Sequence, residues 1–191
     1  MAGDPQGGAV MNAMIAYVNQ SDLRVSGRLR GWTPPRWFRV WMIWATRLGD
    51  GWLWLSTGLF LTLGGSQYHA VLSAVAVAAG ITNILVVLMK RRFRRHRPGD
   101  YSPNPLLKAS LGKENFAFDR FSFPSGHSMN AFAVATVLSL SFPAFGPAFL
   151  VVAGSVALSR LILGHHFMSD VAAGSAMGVV VGALSFYVLV G

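Results

Sequence analysis

The sequence predicts an all-α fold, a multi-pass transmembrane helix bundle of five to six spans. Three observations carry that expectation. First, 53% of the 191 residues are hydrophobic and 12% are charged, about half the charged share of a soluble domain, and the apolar residues come in long blocks. Second, the net charge of +9 is gathered between blocks, with six arginines from Arg24 to Arg47 and six basic residues from Lys90 to Arg97. Third, small residues recur at four-residue spacing. Gly174, Gly178 and Gly182 form one such row, Ala131, Ala135 and Ser139 a second, and Ala74, Ala78 and Thr82 a third. Faces of this kind let helix backbones approach closely in lipid.

The chain divides into a polar tail and basic N-terminal segment, residues 1–35, and a single membrane domain, residues 36–191. Met1 to Gly8 is Gly-rich, lacks the charged start and apolar core of a signal peptide, and is expected to be a disordered tail. From Arg36 to Leu48, Trp37, Val40, Trp41, Trp44 and Leu48 fall at helical spacing while Arg36, Arg39 and Arg47 interrupt the apolar run. That pattern suits an interfacial amphipathic helix, or the start of a longer tilted span entered at Pro34-Pro35. Gly51 to Gly65 is a short uncharged span. Val71 to Met89 is the clearest, with no charge and about 28 Å of helix against a hydrocarbon core of about 30 Å. Ser125 to Phe142 ends at Pro143, Gly146 to Leu163 carries Arg160 near its end, and Val171 to Val190 completes the set. Gly99 to Phe123 is the one long polar connection, expected to cover the site or shape its entrance.

Composition also excludes classes. With no cysteine, disulfides and thiolate metal ligands are ruled out. The basic charge lacks the finger, RNP pattern or soluble basic helix of a nucleic-acid binder. In a membrane protein such clusters meet lipid headgroups or an anionic substrate.

Three short stretches concentrate chemistry at the ends of apolar segments. In KRRFRRHRP, Lys90 to Pro98, the cations suit an anion, a lipid surface or a topology signal, and Pro98 stops any helix continuing from the span. In PSGH, Pro124 favours a helix start, so the N–H groups of Ser125, Gly126 and His127 are expected to point at an anion, with Gly126 allowing close backbone approach. In SRLILGHHFMSD, Ser159 to Asp170, Arg160 is a costly charge at the membrane edge. His166 and Asp170 are four apart and share a helix face. A carboxylate bonded to one imidazole nitrogen leaves the other free to attack. His165 fits that spacing worse and is given no catalytic role. The alternative for Asp170 is a simple helix cap.

The order and spacing of these stretches resemble the type 2 phosphatidic acid phosphatase (PAP2) superfamily. It includes membrane lipid phosphatases and, more distantly, vanadium haloperoxidases. Lys90 with Arg97-Pro98, then Pro124-Ser125-Gly126-His127, then Ser159-Arg160 with His166 and Asp170 match the family pattern without departure. The resemblance implies a PAP2-like bundle and a metal-independent phosphoric-ester or diphosphate hydrolase without cofactor. It implies phosphate binding by Lys90, Arg97, Ser125, Gly126 and Arg160. It also implies attack by His166 oriented by Asp170, a phosphohistidine, and protonation of the leaving oxygen by His127. Phosphoryl transfer needs mainly positioning and charge stabilisation, which three fixed cations supply.

The expected partner is a lipid phosphate substrate of the undecaprenyl diphosphate, phosphatidylglycerophosphate, phosphatidate or lipid A type, within membrane lipids and not nucleic acid. The expected location is a bacterial inner membrane with the site on the extracytoplasmic face. A non-catalytic helix bundle that binds anionic lipid or a partner through its basic face is the alternative. It leaves PSGH and the His166–Asp170 spacing unexplained. A haloperoxidase-like oxidase would keep the anion site for vanadate, against the short, lipid-embedded chain.

Overall fold

The computed structural model describes residues 5–101 and 121–191. Most of the polar connection, residues 102–120, and residues 1–4 lie outside the described residues. Among the described residues are seven α-helices: α1 Pro5–Gly31, α2 Arg36–Arg47, α3 Leu53–Leu63, α4 His69–Phe93, α5 Gly126–Ser141, α6 Gly146–Ile162 and α7 Met168–Leu189. The five expected apolar segments correspond to α3 through α7. The stretches Ser66–Phe93, Pro143–Ile162 and Met168–Leu189 are long and apolar enough to cross a membrane, whereas the apolar helix ending at Leu63 is shorter.

Helix α5 occupies the centre and packs against α4, α6 and α7. Nine of its 16 residues are buried, on faces turned to three neighbouring helices, as in an enclosed helix. At 16 residues it spans about 24 Å, short of a full bilayer, and its neighbours rather than lipid surround it. Ala74, Ala78, Val71 and Val75 of α4 meet Ala133, Val134, Val137 and Leu138 of α5 and Val181 of α7 in the main core. On another face of α5, Ala131 and Ala135 pack on Ala153 and Val156 of α6. Large apolar side chains such as Ile84, Leu88, Val151, Val180, Leu184 and Val188 point outward, as a lipid-facing surface requires.

The glycine row of α7 does what its spacing suggested. A Cβ on Gly174 would sit 2.6 Å from the Ser125 carbonyl oxygen, and Cβ atoms on Gly178 and Gly182 would come closer still to the carbonyls of Met129 and Ala133. Lipid tails are as apolar as side chains, so close packing of this kind, not water exclusion, holds two such helices together.

Two expectations at the N-terminal side change. Residues 5–8, expected in a disordered tail, begin α1, with Pro5 at its first position, where a missing N–H costs nothing. Polarity misled there because α1 docks by hydrogen bonds: Asp22 and Ser26 are buried, and α1 contacts α6 and α7. Helix α2 is amphipathic and lies against α6, burying Met42 and Ala45. It is not the start of one straight span. The chain kinks between α2 and α3 at Gly51, whose φ of 113° is open to glycine and strained for other residues.

Gly178→Ala is expected to destabilise the folded protein by about 1–3 kcal/mol, the range for overpacking, despite alanine's better helix propensity. Gly154, whose Cβ would meet nothing within 4 Å, is the control, and Gly154→Ala is expected to be neutral or stabilising. Thermal unfolding in detergent compares them. Equal melting temperatures for Gly178→Ala and the parent would contradict the packing account.

Candidate active site

Four helix ends meet at one end of the bundle, and they carry the three motifs. Lys90 lies in the last turn of α4. The helix ends before Pro98, because Arg94 takes a left-handed conformation with φ 47° while its N–H bonds the Lys90 carbonyl at 3.1 Å. Ser125 caps α5, Arg160 lies in the last turn of α6, and Asp170 lies in the first turn of α7. Lys90, Arg97, Ser125, Arg160, His166 and Asp170 are all buried, and Lys90, Arg97, Arg160 and His127 lie close enough to His166 to act on its charge, while Ser125 bonds the Asp170 backbone.

His166 sits in the turn between α6 and α7. Gly164 turns the chain there with φ 73°, and the N–H groups of His165 and His166 both reach the Arg160 carbonyl, at 3.0 and 3.2 Å. The Nδ1 of His166 lies 2.7 Å from the Ser122 carbonyl oxygen. A carbonyl only accepts, so Nδ1 carries the proton and Nε2 keeps its lone pair. Burial, and then the positive charges of Arg160, Arg97, Lys90 and His127, hold this imidazole well below the usual histidine range. It is therefore neutral near pH 7.

The expected direct bond from Asp170 to His166 is replaced by an indirect one. The nearest carboxylate oxygen is 3.9 Å from Nδ1, outside hydrogen-bond range. Instead Asp170 accepts from the Ser122 hydroxyl, from Arg95 Nη1 at 2.7 Å and from the Phe167 N–H at 2.8 Å. It caps its own helix and holds Ser122, whose carbonyl orients the imidazole.

Arg95, grouped by sequence with Arg91, Arg92 and Arg94 as a residue for lipid headgroups, turns inward. Its guanidinium also binds Ser169 Oγ at 2.6 Å, Asn19 Oδ1 at 3.0 Å and Asp22 Oδ2 at 2.6 Å, and it lies 4.4 Å over the Phe167 ring. Asp22 in turn accepts from the Ser169 N–H at 3.0 Å and from the Ser169 hydroxyl. Thus α1 is latched to the start of α7 beneath Asp170.

The PSGH turn differs from expectation in one atom. The N–H of Ser125 donates to the Asp170 carbonyl at 3.1 Å, so it is not aimed at an anion. The Ser125 hydroxyl lies 3.5 Å from the Ser128 N–H and 2.9 Å from the Ser128 hydroxyl. Gly126 permits helix contact, since its Cβ would lie 3.2 Å from Val86 on α4. Two further neighbours were not foreseen. Thr46 Oγ1 accepts from Arg160 Nη1 at 2.6 Å, and a Cβ on Gly49 would lie 3.0 Å from the His127 ring. The segment between α2 and α3 therefore packs directly on the site.

A cavity of about 600 Å³ opens here, with Lys90, Gly126, His127 and His166 at its polar end and Leu55, Gly58, Leu72, Val75 and Ala76 along its apolar wall. Among the described residues no three His, Asp or Glu side chains gather to hold a metal ion.

Comparison with known proteins bears on this geometry. The PAP2 superfamily matches residues 70–190. Decaprenylphosphoryl-5-phosphoribose phosphatase of Mycobacterium tuberculosis is 30% identical over 131 residues, 69% of this chain and 68% of the relative. Lipid A 1-phosphatase of Rhizobium etli is 34% identical over 97 residues, 51% of this chain and 41% of the relative. The crystal structure of a transmembrane PAP2 type phosphatidylglycerolphosphate phosphatase from Bacillus subtilis superposes with a TM-score of 0.67 at 26% identity. It covers 90% of this chain and 86% of that one.

Asp22→Asn and Arg95→Gln are each expected to lower stability, with a coupling of about 1–3 kcal/mol in a double-mutant cycle, as for residues in one buried polar network. Denaturant unfolding of the four proteins reads it. Strict additivity would show that the latch across α1, α4 and α7 does not exist.

Proposed function

The chain belongs to the PAP2 superfamily, and on that premise we propose that it removes phosphate from a membrane lipid through a phosphohistidine on His166. It is an integral membrane protein and a phosphoric-ester hydrolase. The observation that carries the mechanism is the 2.7 Å contact between His166 Nδ1 and the Ser122 carbonyl oxygen, from which the tautomer follows. With Nδ1 donating to the Ser122 carbonyl, the bare Nε2 is a nucleophile held neutral by its surroundings.

In the first step Nε2 attacks phosphorus, the bond from phosphorus to the leaving oxygen breaks, and His127, entering protonated, gives that oxygen its proton. In the second step water attacks phosphorus, His127 takes its proton, and the N–P bond breaks to release inorganic phosphate and restore both imidazoles. Lys90, Arg97 and Arg160 surround the place where charge develops, and the N–H groups of Gly126 and His127 add the donors of a helix start. These cations do the work that a metal ion does in other phosphoryl-transfer sites, so activity is proposed to be metal-independent. The histidine pair lies at a helix-end surface with an apolar groove beside it, which suits a phosphate at the interface and a tail in the bilayer. Undecaprenyl diphosphate, phosphatidylglycerophosphate, phosphatidate and lipid A types share that shape. The site is proposed to face the extracytoplasmic side of a bacterial inner membrane. The chain has no cysteine, so His96→Cys, at an exposed position beside the site, should react with an impermeant thiol reagent in intact cells. Protection until lysis would place it on the other face.

Phosphate release from a lipid phosphate is expected to persist in EDTA. It should fall by at least about 10³-fold in His166→Ala and by about 10²–10⁴-fold in His127→Ala. Full activity in His166→Ala would remove the proposed nucleophile. Because His166 must be neutral and its proton affinity is lowered, while His127 must enter protonated, kcat/KM is expected not to fall as pH drops from 8 to about 6.5, the ordinary histidine value. The acid limb of His166 should appear only below that. A loss centred at or above that value and assigned to His166 would contradict the environment described.

A further inference from the structure

The cavity continues past the histidines, and before it turns apolar it passes two asparagines and an indole. Asn130 lies three residues along α5 from His127, about 4.5 Å of helix rise, and Asn83 lies seven residues back along α4 from Lys90, about 10 Å. Asn130 Nδ2 donates to Asn83 Oδ1 at 3.2 Å. Asn83, Asn130 and Trp54 all line the cavity. Asn130 Oδ1 and Trp54 Nε1 are buried and meet no hydrogen-bond partner among the described residues. A buried acceptor and a buried donor left unmet in a lipid-facing groove are costly, and native proteins seldom tolerate them without a reason. Further along, the wall is Leu55, Gly58, Leu72, Val75, Ala76 and Ala79.

We propose that Asn83, Asn130 and Trp54 form a neutral hydrogen-bonding subsite for a hydroxyl-bearing unit, of the sugar or glycerol kind, that joins the phosphate to the lipid tail. A hydroxyl, or two neighbouring ones, donates to Asn130 Oδ1 and accepts from the indole N–H. An ester or ether oxygen only accepts and leaves the amide oxygen unmet. A second phosphate, as in a prenyl diphosphate, would bring negative charge to a stretch lined by amides and an indole, while among the described residues that line the cavity the cation, Lys90, is at the histidine end. The distances place the subsite a few bonds from phosphorus, between the reacting group and the apolar wall. The inference rests on the phosphatase reading and narrows its substrates to lipids whose phosphate is borne on a hydroxylated unit.

The test uses the purified full chain in detergent with four probes of similar tail length. They are hexadecyl phosphate, 1-O-hexadecylglycerol 3-phosphate, an alkyl glucoside 6-phosphate and a prenyl diphosphate. The matching non-hydrolysable phosphonates of the first three serve for binding. The hydroxylated probes are expected to be favoured over hexadecyl phosphate by about tenfold in kcat/KM, and the larger of the two ratios tells sugar from glycerol. Asn130→Leu, and Trp54→Phe, which keeps the ring and removes only the N–H, are each expected to bring the ratio close to one. A ratio near one in the parent, a preference for the diphosphate, or a ratio unchanged in Trp54→Phe would overturn the subsite. If no probe releases phosphate, the phosphatase reading fails separately. The phosphonate affinities then decide the subsite alone, by the same tenfold preference and its loss in Trp54→Phe, or by equal affinities that refute it.

Discussion

The backbone segments that build this site are tied together at Asp170. Its carboxylate binds the Ser122 hydroxyl, Arg95 and the Phe167 N–H, and its carbonyl accepts from the Ser125 N–H. One residue thus joins the turn after α4, the start of α5, the turn after α6 and the start of α7, which are contributed by segments far apart in sequence. A carboxylate in the first turn of a helix is favoured by the helix dipole and the capping bond. The surrounding donors make its burial tolerable. The orientation of His166 then follows at one remove, because Asp170 holds Ser122 and the Ser122 carbonyl, not the carboxylate, sets the tautomer of His166.

The charges sort into two layers. Asp22 and Asp170 are engaged by Arg95, with Ser169 and Ser122 satisfying their remaining oxygens. Lys90, Arg97 and Arg160 stand around His166 and oppose its protonation. The first layer fixes the backbone. The second lowers the proton affinity of His166, the proposed nucleophile, and presents positive charge where a phosphate is proposed to bind. Removing water from such a cluster strengthens its field, and helices packed as tightly as α5 and α7 keep the cluster from relaxing.

Much of this was legible in the sequence, and for a physical reason. Spacings within one helix or one turn translate directly into geometry. The four-residue step selected His166 over His165 and the glycine row marked the face of α7 that another helix approaches, while Lys90 with Arg97 stood out from the basic run by the resemblance alone. What was not legible depends on where the chain leaves regular structure. The left-handed turn at Arg94 sends Arg95 inward while Arg91, Arg92 and Arg94 stay exposed, and nothing in a run of arginines distinguishes them. The Ser122 carbonyl is a backbone group and has no sequence signature. Asp22 was a usable signal, as an acid just before the arginines of the basic N-terminal segment, to which no role in the site was given. Gly49 against His127 required knowing that the α2–α3 kink folds over the site.

The most direct measurement is the covalent state of the protein during turnover. The full chain is mixed with a lipid phosphate and quenched in alkali, where a phosphohistidine survives. Mass spectrometry then locates the added phosphate. The expected result is phosphate on His166, appearing within one turnover and absent in His166→Ala. Phosphate on His127, or turnover with no phosphorylated residue at any time, would contradict the account.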